Sequence, residues 1–302
     1  MKITLIAPKS ISEGEFRFDY GYWNFYLPLL SMGHDVHFFD TTKLGNKDLK
    51  IHIKNFKPEL LFCIMTGSPH YCPDEPWETI REETVKGDIK TFNWFCDDSW
   101  RFDDFSSKAC HSFHYCSTPE KDFITKYQQI GYDNIQYATW HANSELYSTL
   151  ESESPQRALS FVGAIRGDRE DALRLLASKR HQVYVPKDTS FEGMIWTYST
   201  SLATLNFSKN SVNTSTQMKA RMFEVPATGS LLITEYTKDL ENCYDIGKEV
   251  VTFNTEDQLL SIVADMRYNR GKYEKIAKRG HERFLKDHDS KVRLAQVLEN
   301  IK

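Results

Sequence analysis

Short apolar runs recur along this chain at intervals that leave room for one helix each, and that rhythm restricts the fold more than any other feature. The runs are KITLIAP (2–8), DVHFFD (35–40), ELLFCIM (59–65), KTFNWFCDD (90–98), SFHYCST (112–118) and NIQYATW (134–140). Runs of this length between polar turns read as strands covered on both faces, and their alternation with helix-length segments builds a parallel sheet. HANSELYSTLESESPQRA (141–158) is polar, contains Ser-Pro and breaks the rhythm, which marks a linker. The rhythm restarts with ALSFVGA (158–164), HQVYVP (181–186), SLATLNFS (201–208), SLLITE (230–235) and EVVTFN (249–254), and helices follow from about 255 to the end. The expected fold is α/β, with two doubly wound Rossmann-like domains facing a cleft. Residues 1–145 form the first, 146–157 the linker and 158–285 the second, with a closing helix, 286–302, crossing back to the first domain. A length of 302 residues suits two such domains.

Composition narrows the partners. With 40% hydrophobic and 26% charged residues, and no run near the roughly 18 apolar residues of a membrane span, no integral membrane contact is expected. MKITLIAPKS has too short an apolar stretch for a signal peptide, so a cytoplasmic location is expected. The six cysteines form no CxxC pair and read as buried reduced thiols. Cys110, His111, His114 and Cys116 cluster in sequence. Alternation along a strand would send Cys110, His114 and Cys116 to one face, too crowded for tetrahedral ligation, so no metal site is expected. A net charge of −4 argues for neither nucleic acid nor an anionic membrane. Between Arg267 and Arg293, ten Lys or Arg stand against four acidic residues at helical spacing, which reads as a solvated helix face.

Ligands of open α/β sheets bind beyond the carboxyl ends of the strands, so the loops there are where function is sought. They are KSISEGEFRFDYGYWN, CDDSW, GAIRGDRE and SKNSVNTSTQMKAR. GxGxxG after the first strand, GxxxxGK[ST] and GxSxG are all missing, so the usual dinucleotide, P-loop and hydrolase sites do not apply. RMFEVPATGSLLITE (221–235) reads as a helix end passing through a glycine turn into a buried strand, with Arg221 and Glu224 at one turn's spacing.

KARMFEVPATGSLLITE, followed by DIGKEVVTFNTEDQLLSIVADM and KIAKRGHERFLKDHDSKVRLAQVL, resembles the C-terminal half of the CgeB-like glycosyltransferases, relatives of the family-4-type enzymes of the GT-B fold. The resemblance extends back through LSFVGAIRGDRE and, more loosely, through NWFCDDSWRF and GYWNFYLPLLSMGHDVHFFD. It implies a retaining transferase that takes a sugar from a nucleotide diphosphate, a co-substrate rather than a cofactor. Glu224 then occupies the donor-holding position. Its carboxylate suits the two vicinal hydroxyls of a ribose, Arg221 can neutralise a diphosphate, and the small residues ATG would let the nucleotide approach the backbone. The plain alternative is an exposed intrahelical ion pair, which contributes little. Arg166 and Arg169 follow a strand-end glycine and Lys219 lies close in sequence, all three being phosphate candidates. Family-4-type enzymes carry a second Glu, on the transferred sugar, eight positions earlier; here that position is Thr216, beside neutral Gln217, which leaves open the sugar contacts and with them whether transfer is retaining or inverting.

The first domain is expected to hold the acceptor, whether a glycan, a small molecule or a modified nucleic acid. Asp97 and Asp98 close the fourth strand beside Trp94 and Trp100, carboxylates next to aromatic planes, with Asp97 suited to acid–base work or, alternatively, to capping a helix. Glu15, Arg17, Asp19 and Tyr22 in the long first loop could cover the cleft. The acidic doublet is not a DxD motif, and transfer is expected to be metal-independent. Two other readings stand beside this one. A glycosyltransferase acting on a modified, hydroxymethylated nucleic-acid base is suggested by the basic helices and tryptophans. A non-catalytic GT-B-like surface-assembly protein is suggested by Thr216.

Overall fold

The computed structural model describes residues 1–10, 19–147, 155–165, 167–187, 190–212 and 214–301. These divide into two compact units: Met1–Thr139 with Asn210–Ser215 and Ser290–Lys302, and Trp140–Lys209 with Thr216–Asp289.

In the first unit the strands are β1 (Lys2–Ala7), β2 (Asp35–Asp40), β3 (Leu60–Cys63), β4 (Lys90–Trp94), β5 (Tyr115–Thr118) and β6 (Ile135–Tyr137). All pair in parallel, in the order β2-β1-β3-β4-β5-β6, with Ile3 opposite both Val36 and Leu60. Residues of β3 are buried without interruption, as a strand covered on both faces requires. One face buries Ile6, Leu61, Cys63 and Phe95; the other buries Ile3, Leu5, Phe62, Phe92 and Trp94. The closing helix Ser290–Glu299 belongs to this unit because Leu294 and Val297 pack into the second of these clusters.

Strands of the second unit are β7 (Arg157–Ser160), β8 (Ser201–Asn206), β9 (Leu231–Glu235) and β10 (Val251–Phe253), parallel and ordered β10-β9-β8-β7. HQVYVP does not become a strand. Only Tyr184 pairs, bridging Ser160 on the outer side of β7. That single bridge still places the chain to one side of β7 before β8 forms on the other, so the order reverses at the β7/β8 boundary.

Two further expectations change. SFHYCST is strand only from Tyr115, because Cys110–Ser112 is a 3₁₀ turn. Cys110 therefore shares no strand face with His114 and Cys116. Its thiol donates to the Ser107 carbonyl at 3.3 Å, and His114 Nδ1 accepts from the Thr91 amide at 3.1 Å. The supposed linker holds a short helix, Ser144–Tyr147, whose last residue is fully buried; residues 148–154 lie outside the described residues. The cation-rich stretch spans the helices Glu256–Tyr268 and Arg270–Asp287, and it is paired along its exposed face: Arg270 with Glu274 at 2.7 Å, Lys272 with Asp265 at 2.9 Å, Arg283 with Asp287 at 3.0 Å.

Candidate functional site

The carboxyl ends of β7 and β8 meet at the point where strand order reverses, and chemistry-bearing residues gather there. RMFEVPA is a complete short helix, Arg221–Ala227, rather than the end of a longer one. It returns antiparallel to the strands, so Arg221 and Glu224 lie toward the strands' carboxyl ends and Ala227, Thr228 and Gly229 at the opposite end. ATG therefore turns the chain into β9, with Gly229 at φ 79°, and makes no room at the site. The residue that makes room is Gly163, just past β7. It has φ 148°, and a Cβ there would come within 2.9 Å of Arg221 Nη2.

Arg221 is half-buried and fixed. Its Nη1 donates to Asn206 Oδ1 at 3.0 Å, and its guanidinium lies 5.7 Å from the Phe161 ring centre. Asn206 is wholly buried at the end of β8 and donates in turn to Thr234 Oγ1 at 2.9 Å, so the arginine rests on a network spanning β8 and β9. Glu224, 7% exposed, forms no surface pair with Arg221. Its Oε1 accepts from the Tyr147 hydroxyl at 3.0 Å, 77 residues away in sequence. One carboxylate oxygen thus already accepts a hydrogen bond from within the protein. Burial pushes the Glu224 carboxyl above its ordinary pKa, while Arg221 and the Tyr147 hydrogen bond pull the other way.

Tyr198, on the helix Phe191–Ser199, completes the cluster. It is fully buried, and among the described residues its hydroxyl has no hydrogen-bond partner of good geometry. Burial and then Glu224 raise its pKa, and the neighbouring Arg221 guanidinium opposes them. Neither Tyr147 nor Tyr198 figured in the sequence reading.

The remaining candidates of this unit lie on the flanking loops. Arg169 opens the helix Asp168–Ser178 and donates to the Ala164 carbonyl at 3.3 Å. That helix begins with Asp168, Glu170 and Asp171, so its own carboxylates already complement its N-terminal dipole, and Asp168 also pairs with Lys209 at 2.7 Å. Countercharge for a phosphate here must come from side chains. Arg166 lies outside the described residues. Thr216 bridges to Lys209, Gln217 is buried with its backbone N–H on the Ser208 carbonyl at 2.9 Å, and half-buried Lys219 lies two residues before the Arg221 helix. Glu235 holds this loop's start, accepting from the Ser208 and Lys209 amides at 2.8 and 3.2 Å.

In the first unit the candidates separate. Trp94 is 1% exposed and packs edge-on against Phe25 at 5.0 Å, so it is a core residue and offers no acceptor platform. Asp98 is also interior: Oδ2 accepts from Tyr127 at 3.0 Å, and burial raises its pKa to about 6. Asp97, partly exposed, precedes the helix Asp98–Arg101 without capping it through its side chain. Trp100 is half-buried beside the Arg101 guanidinium, 5.7 Å away. Asp19 accepts from the Gly21 amide and the Tyr71 hydroxyl, both at 3.4 Å, and burial raises its pKa. Tyr22 stacks among Tyr26, Phe38 and Trp23. Glu15 and Arg17 lie outside the described residues.

The second of the two parallel α/β units thus gathers an Arg, a Glu and a glycine at its switch point. The sequence pattern of the glycosyl transferase-like family matches residues 144–299, more than half of the chain, and the chain belongs to that family. A search of the curated proteins finds no match. Among solved structures it is similar to sucrose-phosphate synthase from Thermosynechococcus elongatus, with 9% identity over 99% of this chain and 98% of that one and a TM-score of 0.67. It is similar also to HepE of Anabaena in complex with UDP, with 11% identity over 99% of each chain and a TM-score of 0.59. UDP-GlcNAc 2-epimerase from Neisseria meningitidis, bound to UDP-GlcNAc, shares 9% identity over 99% of this chain and 100% of that one, with a TM-score of 0.59. At such identities the likeness shows the fold, which is GT-B.

Proposed function

We propose that the chain is a glycosyltransferase of the CgeB-like type that moves a sugar from a nucleotide diphosphate to an acceptor hydroxyl, retaining the anomeric configuration and using no metal. The observation that carries this reading is the placement of Arg221 and Glu224 beside Gly163 at the strand-order switch point. Arg221, braced by Asn206, supplies fixed positive charge for the diphosphate, and Arg169 in the first turn of the helix Asp168–Ser178 and Lys219 on the loop before the Arg221 helix add more. Glu224 accepts a ribose hydroxyl through Oε2, the oxygen that Tyr147 leaves to a ligand. Tyr198 directs an unsatisfied hydroxyl at the same place, and a donor oxygen would satisfy it. UDP bound to HepE makes UDP-sugars the first donors to try. Asp97 is the acid–base candidate toward the acceptor.

The test is incubation with UDP-, GDP-, ADP- and dTDP-sugars in EDTA, following nucleotide release with and without candidate acceptor glycans. Acceptor-dependent release that survives the chelator supports the proposal. Epimerised sugar without transfer, or activity restored only by manganese, would overturn it.

A further inference from the structure

Glu224 is hydrogen-bonded to a residue from a stretch of sequence with no motif in it. Tyr147 ends the helix Ser144–Tyr147, and that helix is pinned at its start: the Ser144 amide donates to Asp289 Oδ2 at 3.0 Å, while Ala142 bridges to Asp289. The Tyr147 ring is 1% exposed and packs edge-on against Phe191 at 5.5 Å. A short helix held at one end and a ring clamped along its length leave the hydroxyl little freedom, so it reaches Glu224 Oε1 at 3.0 Å as a preset donor.

The geometry points to Tyr147 as a positioning residue for the donor site: its hydroxyl, donating to Oε1, orients the Glu224 carboxylate toward the donor's ribose. This rests on the donor-site reading of Glu224 given above. A phenol that donates to one oxygen stabilises the charged form, and it turns the second oxygen toward a ligand. Few other groups can do this. Arg221 faces Glu224 from the same helix and Tyr198 from the helix Phe191–Ser199. The helix Arg270–Asp287 brings His281 only to the Pro226 carbonyl, at 2.7 Å, and His288 ends on the Cys243 carbonyl at 2.8 Å. Arg283 also meets the Cys243 carbonyl, at 3.0 Å, and Glu235 on β9 is turned to the Ser208 and Lys209 amides. β8 carries no ionisable side chain. Burial alone would push Glu224 toward its neutral form, in which it donates where the ribose needs an acceptor.

Two measurements test this on the full chain with Tyr147→Phe, which keeps the ring and its packing. Carbon-13 labelling of the glutamate carboxyls, with Glu224→Gln identifying the Glu224 signal, reads the Glu224 pKa in the ligand-free protein. It should rise by about one unit in Tyr147→Phe. Calorimetry with UDP between pH 5 and 8 should show about tenfold weaker binding at neutral pH and an acid limb moved upward by the same amount. In a Glu224→Gln background, Tyr147→Phe should change UDP affinity less than twofold, because both changes act on one contact. An unmoved Glu224 titration in Tyr147→Phe would overturn the inference. A moved titration with UDP binding equally tight at every pH would instead overturn the donor-site reading of Glu224. Failure of the unaltered protein to bind UDP would count against that reading too, and the ligand-free titration would still decide the role of Tyr147.

Discussion

Tyr198→Phe is expected to strengthen the empty protein and weaken the occupied one. Its ring fills the core beside Met222 and Phe223, and the substitution keeps that packing. What it removes is a buried hydroxyl that has no well-formed hydrogen bond among the described residues. Leaving a polar group buried and unpaired costs about 1 to 3 kcal/mol, so deleting it should stabilise the ligand-free chain by ~1 kcal/mol after loss of small contacts. For a unit of this size that is a rise of about 2 to 4 °C in the midpoint of thermal unfolding. If the hydroxyl is completed by a donor oxygen, the same substitution deletes a hydrogen bond from the complex, and a charged phosphate partner makes that worth roughly 1.5 to 3 kcal/mol. The dissociation constant for UDP should then rise about tenfold or more. Differential scanning calorimetry without nucleotide and isothermal titration with it read the two effects separately. Stability and affinity falling together would show that the hydroxyl has a structural partner, and an unchanged affinity would remove Tyr198 from the site.

Gly163→Ala places a side chain on a backbone with φ 148° and against Arg221 Nη2, so the guanidinium must shift from its present position on Asn206. UDP affinity should drop by about tenfold, with ~1 to 2 kcal/mol lost in unfolding free energy from backbone strain. Asp98 binds its proton more tightly in the folded state, with its pKa raised from 3.8 to about 6 mainly by burial. Its contribution is therefore fully present below the unfolded value and lost as pH rises through about 6. Asp98→Asn should remove that slope, gaining up to ~3 kcal/mol relative to the unaltered chain between pH 4 and 7 in denaturant titrations. Trp94→Ala should destabilise by about 3 to 5 kcal/mol as a core truncation, while acceptor KM in the surviving folded enzyme stays within twofold.

What was legible in the sequence is what local spacing encodes. Arg221 and Glu224 share one short helix, so their proximity follows from helical geometry alone. The strand runs could be read because both sheets are parallel and their inner strands, such as β3 and β8, are buried along their whole length. Tyr147 was hidden because it reaches Glu224 through a contact 77 residues long, from a polar stretch whose composition signals a linker. Tyr198 sits in an apolar helix, where a tyrosine reads as core until its hydroxyl is found unpaired. A usable signal existed for Asn206, a lone amide closing an apolar strand that had to find a buried partner. Trp94 was misread although strand alternation puts it on the same face as Phe92, and both enter one core cluster. ATG was misplaced because the stretch was taken for a helix end, when it is a whole helix with Arg221 and Glu224 toward its beginning.

The central claim is that Glu224 grips the ribose of a nucleotide donor. Glu224→Gln keeps the shape and one acceptor but turns the other into a donor, so UDP binding should weaken by roughly 1 to 3 kcal/mol with little change in fold stability. The direct measurement compares UDP with 2′-deoxy-UDP on both proteins. The deoxy penalty should be of similar size on the unaltered chain and largely vanish on Glu224→Gln, since both changes delete the same contact. An equal deoxy penalty on the two proteins would contradict the claim.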